Sequence, residues 1–449
     1  MESSGTITRQ IALKVLIEVN RDGKYANISL KDNLRAFNLT DRDAAFVAQL
    51  VYGTLERQLT LDHFLNKFTS MKKANPWIIN ILRLGAYQIL YLDRVPDSAA
   101  VNEAVNLCKK HGLFALSGFV NGVLRNIVRS KESLRLPDKS LTRVENMSLV
   151  YSFPIWLTEK WIKEYGELTA EHIMRPPQAE DVLSIRANTL KIEPETLAEK
   201  LSMRGVQAEK GLYIREALRL KYPGDIEEDP LYKNGYFTIQ GESSMLVAYT
   251  VAPRPWQTVL DACSSPGGKA IHMAELMGNK GKVYAWDVHE HRVDLVRANA
   301  KRMGADSVIP EVMDASRHSP ELDEYFDCVL IDAPCSGLGV AHKKPDIKLK
   351  VTPHGLEELV RLQERILDSC SRYVKPNGVL VYSTCTINKD ENQNMISNFL
   401  AEHKEFYRED IAPYLPASLM SAAADGMIQL IPYLHGIDGF FIARLRKRV

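Results

Sequence analysis

From Trp256 onward, short apolar runs of strand length alternate with longer runs of helical period. TVLDAC (258–263), KVYAWD (282–287), SVIPEVMD (307–314), FDCVLID (326–332) and GVLVYSTC (378–385) are bounded by turn residues and read as strands. GGKAIHMAELMG, HEHRVDLVRANAKRMG and GLEELVRLQERILDSCSRYV stand between them and read as helices. A strand that returns parallel to its predecessor needs a crossover, usually a helix. The alternation therefore predicts an α/β, doubly wound, Rossmann-like sheet. Near the end, IQLIPYL and GFFIARL have the pattern of a closing hairpin.

Such sheets bind ligands beyond the carboxyl ends of their strands, where strand order reverses. DACSSPGGKA (261–270) lies at the first of these ends and runs directly into a helix. Gly267 and Gly268 admit a ligand close to the backbone, and a helix N-terminus favours an anionic group. Asp287 ends the second strand, 19 residues after Gly268, where a carboxylate accepts bonds from ribose hydroxyls. Asp314 ends the third strand, in reach of an adenine amino group, and Asp332 ends the fourth. G-x-G-x-x-G is absent. G-x-x-x-x-G-K-[ST] fails at Cys263 and Ala270. Successive strand-end acids suit no triphosphate. They suit an ammonium, a ribose and an adenine together, which describes S-adenosylmethionine.

Two cysteines occupy strand ends on the same edge, Cys335 in DAPCSG (332–337) and Cys385 in STCT (383–386). Strands four and five are neighbours in this topology, so both thiols are expected to face one crevice. Cys108, Cys328 and Cys370 read as inert buried thiols. A redox pair is the rival reading, but the flanking residues form no thioredoxin-type motif. A thiol beside a methyl sulfonium has a definite use. Carbon 5 of cytosine is a poor nucleophile until a thiolate adds at carbon 6 and makes the ring an enamine. Asp332 is the acid placed to support the ring nitrogen, and Lys269 the cation placed to lower a thiol pKa.

The first 130 residues read as all-helical. LTDRDAAFVAQLVYGTL (39–55) has Thr40 as N-cap, and NPWIINILRLGAYQILYL (75–92) has Asn75 as N-cap with Pro76 at the first helical position. SAAVNEAVNLCKKHG (98–112) and GFVNGVLRNIVR (118–129) continue the bundle, the former stopped by Gly112. The polar stretch 130–146 reads as a linker and 147–240 as a small α+β domain. The net charge of +1 hides an asymmetry: residues 1–140 hold 20 basic against 13 acidic side chains, the remainder 37 against 43. The basic first domain suits an anionic partner such as RNA. Six irregularly spaced cysteines make no disulfide scaffold, and without C-x-x-C no metal site is expected. No secretory signal and no apolar run of membrane-spanning length is found, so the expectation is a cytoplasmic protein.

DACSSPGGKA, WDVHEHRVDLVRANAKRMG, FDCVLIDAPCSGLGV, KKPDIK, PNGVLVYSTCTINKDENQ and HGIDGFFIARL together resemble the 5-methylcytosine RNA methyltransferase family, in particular its bacterial 16S rRNA branch. FPIWLTEKW, RANTLK and IQGESSMLVA extend the likeness upstream. LVYGTLERQLTLD, RLGAYQILYLDRVPDSAAVNEAVNLCKK and GFVNGVLRNIV resemble the NusB family of RNA-binding antitermination factors. The resemblance implies three domains: 1–140 NusB-like and RNA-binding, 141–240 a small α+β linker domain that also contacts RNA, and 241–449 the methyltransferase. It implies Cys385 as nucleophile and Cys335 as the thiol of product release, an order that the residues alone leave open. Cofactor contacts fall on Cys263, Ser264, Ser265, Pro266, Gly267, Gly268, Lys269, Asp287, Asp314 and Asp332, with Arg292 added. Ser264 and Ser265 stand where the family usually has alanines, and Gly241 where an aspartate is common. The implied function is S-adenosylmethionine-dependent methylation of one cytosine of 16S rRNA by a monomer. The same chemistry on tRNA or another RNA, and a catalytically silent RNA-binding protein, are the alternatives.

Overall fold

Capping chemistry sets the helix starts of the N-terminal region. In the computed structural model, which describes residues 4–37, 39–71, 75–176, 182–222 and 224–449, the helix Asp41–Glu56 begins where the Thr40 side chain accepts the Asp43 N–H at 3.2 Å. The helix Pro76–Tyr91 begins where Asn75 Oδ1 accepts the Trp77 N–H at 2.8 Å. Each fills one of the donors a helix start leaves open. The helices Asp97–Lys110 and Ser117–Ser130 follow, and Gly112 has φ +74 after the first of them. The polar stretch 130–146, read as a linker, turns helical at its end. Thr142 and Glu145 form a reciprocal capping box that opens the helix Arg143–Tyr151.

Contacts divide the chain into Met1–Pro176 with Ala341–Lys350, and Pro177–Val340 with Val351–Val449. The first unit is helical around its own apolar core, which includes Leu16, Val47, Leu50, Ile81 and Leu124. Within this unit the segment carrying KKPDIK is held firmly. Asp346 accepts the Ala26 N–H at 3.2 Å, and Lys348 Nζ donates to the Tyr151 carbonyl at 3.1 Å over the Phe153 ring.

The second unit holds two sheets. β1 (Leu183–Ala187), β2 (Gln207–Lys210), β3 (Ala217–Lys221) and β4 (Phe237–Ile239) form a small antiparallel sheet of order β2-β3-β1-β4. The large sheet contains β5 (Thr258–Asp261), β6 (Lys282–Asp287), β7 (Val308–Val312), β8 (Phe326–Asp332) and β9 (Val374–Thr384), all parallel. β10 (Phe406–Arg408), β11 (Ala423–Ala424), β12 (Met427–Leu430) and β13 (Phe440–Lys447) complete it. Its order is β11-β12-β13-β9-β8-β5-β6-β7, with β10 also on β13. The expected closing hairpin is β12 and β13, antiparallel, and β13 runs antiparallel against β9 as well. Strand order reverses between β5 and β8, so the crevice opens where residues 261–268 and 332–337 emerge.

Candidate active site

The turn between β5 and the helix Gly268–Leu276 is shaped by Gly267, at φ +100. That left-handed backbone strains any side chain, and a Cβ there would lie 3.1 Å from Val296 Cγ1, which would have to give by a few tenths of an ångström. The Gly267 N–H donates to the Ser264 carbonyl at 2.7 Å, and the Ser264 N–H to the Trp286 carbonyl at 2.7 Å. Ser265 Oγ donates to the Arg292 carbonyl at 3.3 Å, and Asn299 Nδ2 to the Pro266 carbonyl at 3.0 Å. The turn is thus tied to β6 and to the helix Glu290–Met303 behind it.

Lys269 projects from the first turn of its helix onto Asp332 at the end of β8, with Nζ to Oδ2 at 2.6 Å. The other Asp332 oxygen accepts Ser383 Oγ–H from β9 at 2.7 Å. Burial alone would lower the Lys269 pKa. The Asp332 carboxylate outweighs it, with Asp261 and Cys385 adding to the effect, and holds the ammonium above the usual lysine value. Cys335 and Cys385 meet across the β8 and β9 ends with Sγ to Sγ at 3.4 Å. The hydrogen bond with Cys385, then burial, pushes the Cys335 thiol well above its ordinary pKa. The Gly339 N–H donates to the Cys385 carbonyl at 3.0 Å and fixes the backbone beside the thiol.

The remaining expected residues are spread along the same edge. Asp287 is nearly buried, accepts the His289 N–H at 3.1 Å and has Arg292 Nη1 at 3.9 Å. Asp314 lies two residues past β7. It accepts from the Ser316 N–H and Oγ–H at 3.0 and 2.6 Å and pairs with Arg317 at 3.1 Å, and the Ser316 hydroxyl foremost holds its pKa below the usual value. Its partners are therefore local, not the other strand-end acids. Cys263 packs against the apolar cluster around Trp286 and Tyr373, and burial first of all pushes its thiol well up.

Three residues outside the expected set shape this site. Asp261 ends β5 fully buried, and neither carboxyl oxygen has a hydrogen-bond partner among the described residues. Arg186 of β1 is also fully buried. It pairs with Glu275 at 2.8 Å, donates to the Gly268 carbonyl at 2.9 Å and bonds Gln240. Glu391 lies behind the two cysteine loops. Each stands inside a segment that carries the family likeness, DACSSPGGKA, RANTLK and TINKDENQ, and that location is the one signal the sequence gives for them.

A family model described as 16S rRNA methyltransferase RsmB/F matches residues 248–446. The NusB family model matches 6–129, and one for the ferredoxin-like domain of RsmF/B-like methyltransferases matches 153–227. A Bacillus subtilis (strain 168) protein named probable ribosomal RNA small subunit methyltransferase B is 39% identical over 446 residues, with 99% of each chain covered. The chain belongs to the RsmB/F family of rRNA methyltransferases. A Synechocystis relative named in the same words is 35% identical over 98% of this chain and 99% of its own. Among solved structures, that of PH0851 superposes with TM-score 0.84 at 27% identity, covering 98% of this chain and 99% of the other. A methyltransferase homolog from Pyrococcus horikoshii gives TM-score 0.58 at 29% identity, over 68% of this chain and 100% of its own.

The methyl donor of this rRNA methyltransferase is S-adenosylmethionine. The residues present fit it. Ser264 Oγ is buried in the turn with no hydrogen-bond partner among the described residues, a polar atom left over for a ligand. The Gly267 turn has no side chain to obstruct a ligand, and Asp287 and Asp332 supply carboxylates at the ends of β6 and β8, a donor set that suits a cationic ligand. No helix among the described residues is long and apolar enough to cross a membrane.

Proposed function

We propose that this RsmB/F protein methylates carbon 5 of one cytosine in 16S rRNA through a covalent bond between Cys385 and carbon 6. The observation that carries the reading is the pair of thiols at 3.4 Å beside the Lys269–Asp332 ion pair. Bound S-adenosylmethionine supplies an electrophilic methyl group. Asp287 holds the ribose, Asp314 the adenine side, and the Cys263–Lys269 turn with Arg292 lines the cofactor's path. Cys385 attacks carbon 6 as a thiolate. The Lys269 ammonium beside it favours that form by charge attraction. As the bond forms, the Cys385 thiol proton passes by way of Asp332, anchored by Lys269 and Ser383, to the ring nitrogen, so that no net negative charge is left on the ring. After methyl transfer a water molecule takes the carbon-5 proton as base, the 5,6 double bond re-forms and the Cys385–carbon bond breaks with its electron pair returning to the Cys385 sulfur, with Cys335 serving this release. The helical unit, basic in residues 1–140, and the small sheet grip the rRNA.

The test separates the two thiols. Cys385→Ala abolishes methyl transfer and forms no protein–RNA adduct. Cys335→Ala leaves the attack intact and traps methylated RNA on Cys385 as a species that survives denaturing electrophoresis. The double variant behaves as Cys385→Ala, because without attack there is nothing to release. Peptide mapping that finds the bond on Cys335 reverses the roles, and no adduct from any variant while wild type makes 5-methylcytosine refutes covalent catalysis.

A further inference from the structure

We infer that Glu391 is a positioning residue that sets the spacing and aim of the Cys335–Cys385 pair. The inference rests on the cysteine roles proposed above. Glu391 is fully buried. Its Oε1 accepts the Ser336 N–H at 2.8 Å and Gln363 Nε2–H at 3.1 Å. Its Oε2 accepts Ser336 Oγ–H at 2.6 Å, Asn388 Nδ2–H at 3.0 Å and Thr386 Oγ1–H at 3.3 Å. Ser336 follows Cys335 in the chain, and Thr386 follows Cys385. One carboxylate therefore clamps the residue after each thiol, and the two hydroxyls also meet at 2.7 Å. Gln363 ties the same knot to the backbone before Cys335, donating to the Pro334 carbonyl at 2.8 Å. Asn392 holds the rest of the second loop through the Thr386 carbonyl at 3.0 Å and Thr384 Oγ1 at 2.6 Å.

Charge and capacity explain why this residue is an acid. A carboxylate offers about four lone-pair sites, and five donors here converge on it. No capacity is left for substrate, so Glu391 is not a catalytic residue. A buried charge is costly unless fully hydrogen-bonded, and apolar packing holds a core together equally well. What apolar packing does not supply is direction. Charge-assisted bonds from both loops to a single group fix one loop relative to the other. A misplacement of about 1 Å costs on the order of a hundredfold in rate when reacting atoms must align. Cys335 and Cys385 lie on separate strand ends 50 residues apart in sequence, and this knot bonds the residues beside both.

The experiment uses the full chain and two readouts. In the first, Cys335 and Cys385 are cross-linked with dibromobimane, which fluoresces once both arms are joined to thiols. This reads their spacing whether or not either thiol attacks RNA. Wild type cross-links efficiently and Glu391→Ala poorly. Glu391→Gln is intermediate, because its amide keeps one acceptor oxygen while Asn388 loses its partner. In the second readout, adduct formation with labelled RNA and S-adenosylmethionine is timed in Cys335→Ala with and without each Glu391 substitution. The rate falls by about tenfold or more with alanine and less with glutamine. S-adenosylmethionine affinity by calorimetry stays within about twofold, whereas a collapsed fold would lose it. If Glu391→Ala does not fold, Glu391→Gln carries both comparisons. Equal cross-linking in all variants overturns the positioning role. Reduced cross-linking with an unchanged adduct rate overturns its link to catalysis. Absence of any adduct in Cys335→Ala alone overturns the covalent reading itself, a result distinct from either.

Discussion

Replacing Asp261 with asparagine stabilises the large sheet at neutral and alkaline pH and leaves it unchanged in acid. Asp261 ends β5, fully buried, with its pKa pushed from 3.8 up to about 7. Burial is the largest cause and the Asp332 charge the second. Lys269 opposes them, as do the backbone N–H groups of Cys263 and Ala270, which favour the charge without full hydrogen-bond geometry. An acid whose folded pKa is raised contributes stability fully present below its unfolded value and lost as pH rises through the folded one. The window is therefore from pH 3.8 to about 7. Raising a pKa by one is worth about 1.36 kcal/mol, so the rise at Asp261 amounts to roughly 4 kcal/mol on the alkaline side. Asparagine has nearly the same shape and no charge. The variant-minus-wild-type difference is near zero at about pH 4 and grows toward about 4 kcal/mol by about pH 8. Hydrogen exchange of peptides from β5 and β8 reads the opening free energy of this sheet apart from the helical unit. A variant no more stable than wild type under those alkaline conditions, with the same pH slope, refutes the argument that Asp261 is held uncharged by its surroundings.

Asp287→Ala removes the proposed ribose acceptor, whose charge-assisted bonds are worth about 1.5–3 kcal/mol each, so S-adenosylmethionine binding weakens by about tenfold or more while the fold persists; unchanged affinity by calorimetry removes Asp287 from the cofactor site. Arg42, Lys109 and Arg125 are exposed basic residues of the helical unit. Changing all three to glutamine flattens the dependence of RNA affinity on salt by about 0.7–0.9 in logarithmic slope for each phosphate no longer neutralised, and an unchanged slope means that these charges face solvent in the complex.

How far the sequence discloses this molecule follows from which physical signals are local. β5, β6, β8 and β9 are buried between helices, so each reads as a near-continuous apolar run ended by a turn. β9 starts at Val374, earlier than the expected 378, because Asn377 at φ +60 and Gly378 interrupt the pattern while pairing with β8 continues through a register shift. The small sheet gives little signal. β2 is an edge strand of mostly exposed polar residues and β4 has three residues, so neither shows a period. Helix starts at Thr40 and Asn75 are legible because a cap acts on the next two or three residues.

The site divides along the same line. That Cys335 and Cys385 share one crevice follows from strand order alone, since β8 and β9 are neighbours. That their sulfurs lie 3.4 Å apart does not, because Glu391 takes its bonds from loops 50 residues apart in sequence. Arg186 and Glu275 are 89 residues apart and, by composition, look like surface charges. The strand-end acids make the point most sharply. In sequence they are equivalent, each an aspartate at or just beyond a strand. In the structure burial raises the pKa of Asp261 to about 7, Asp314 is bound by its own loop, Asp287 has Arg292 at 3.9 Å, and Asp332 is fixed between Lys269 and Ser383. The residue type sets what each acid can do, while the desolvation and partners supplied by distant segments select one state for each. A sequence motif can therefore mark the crevice, but assigning work within it depends on the charge state and bonds of each carboxylate.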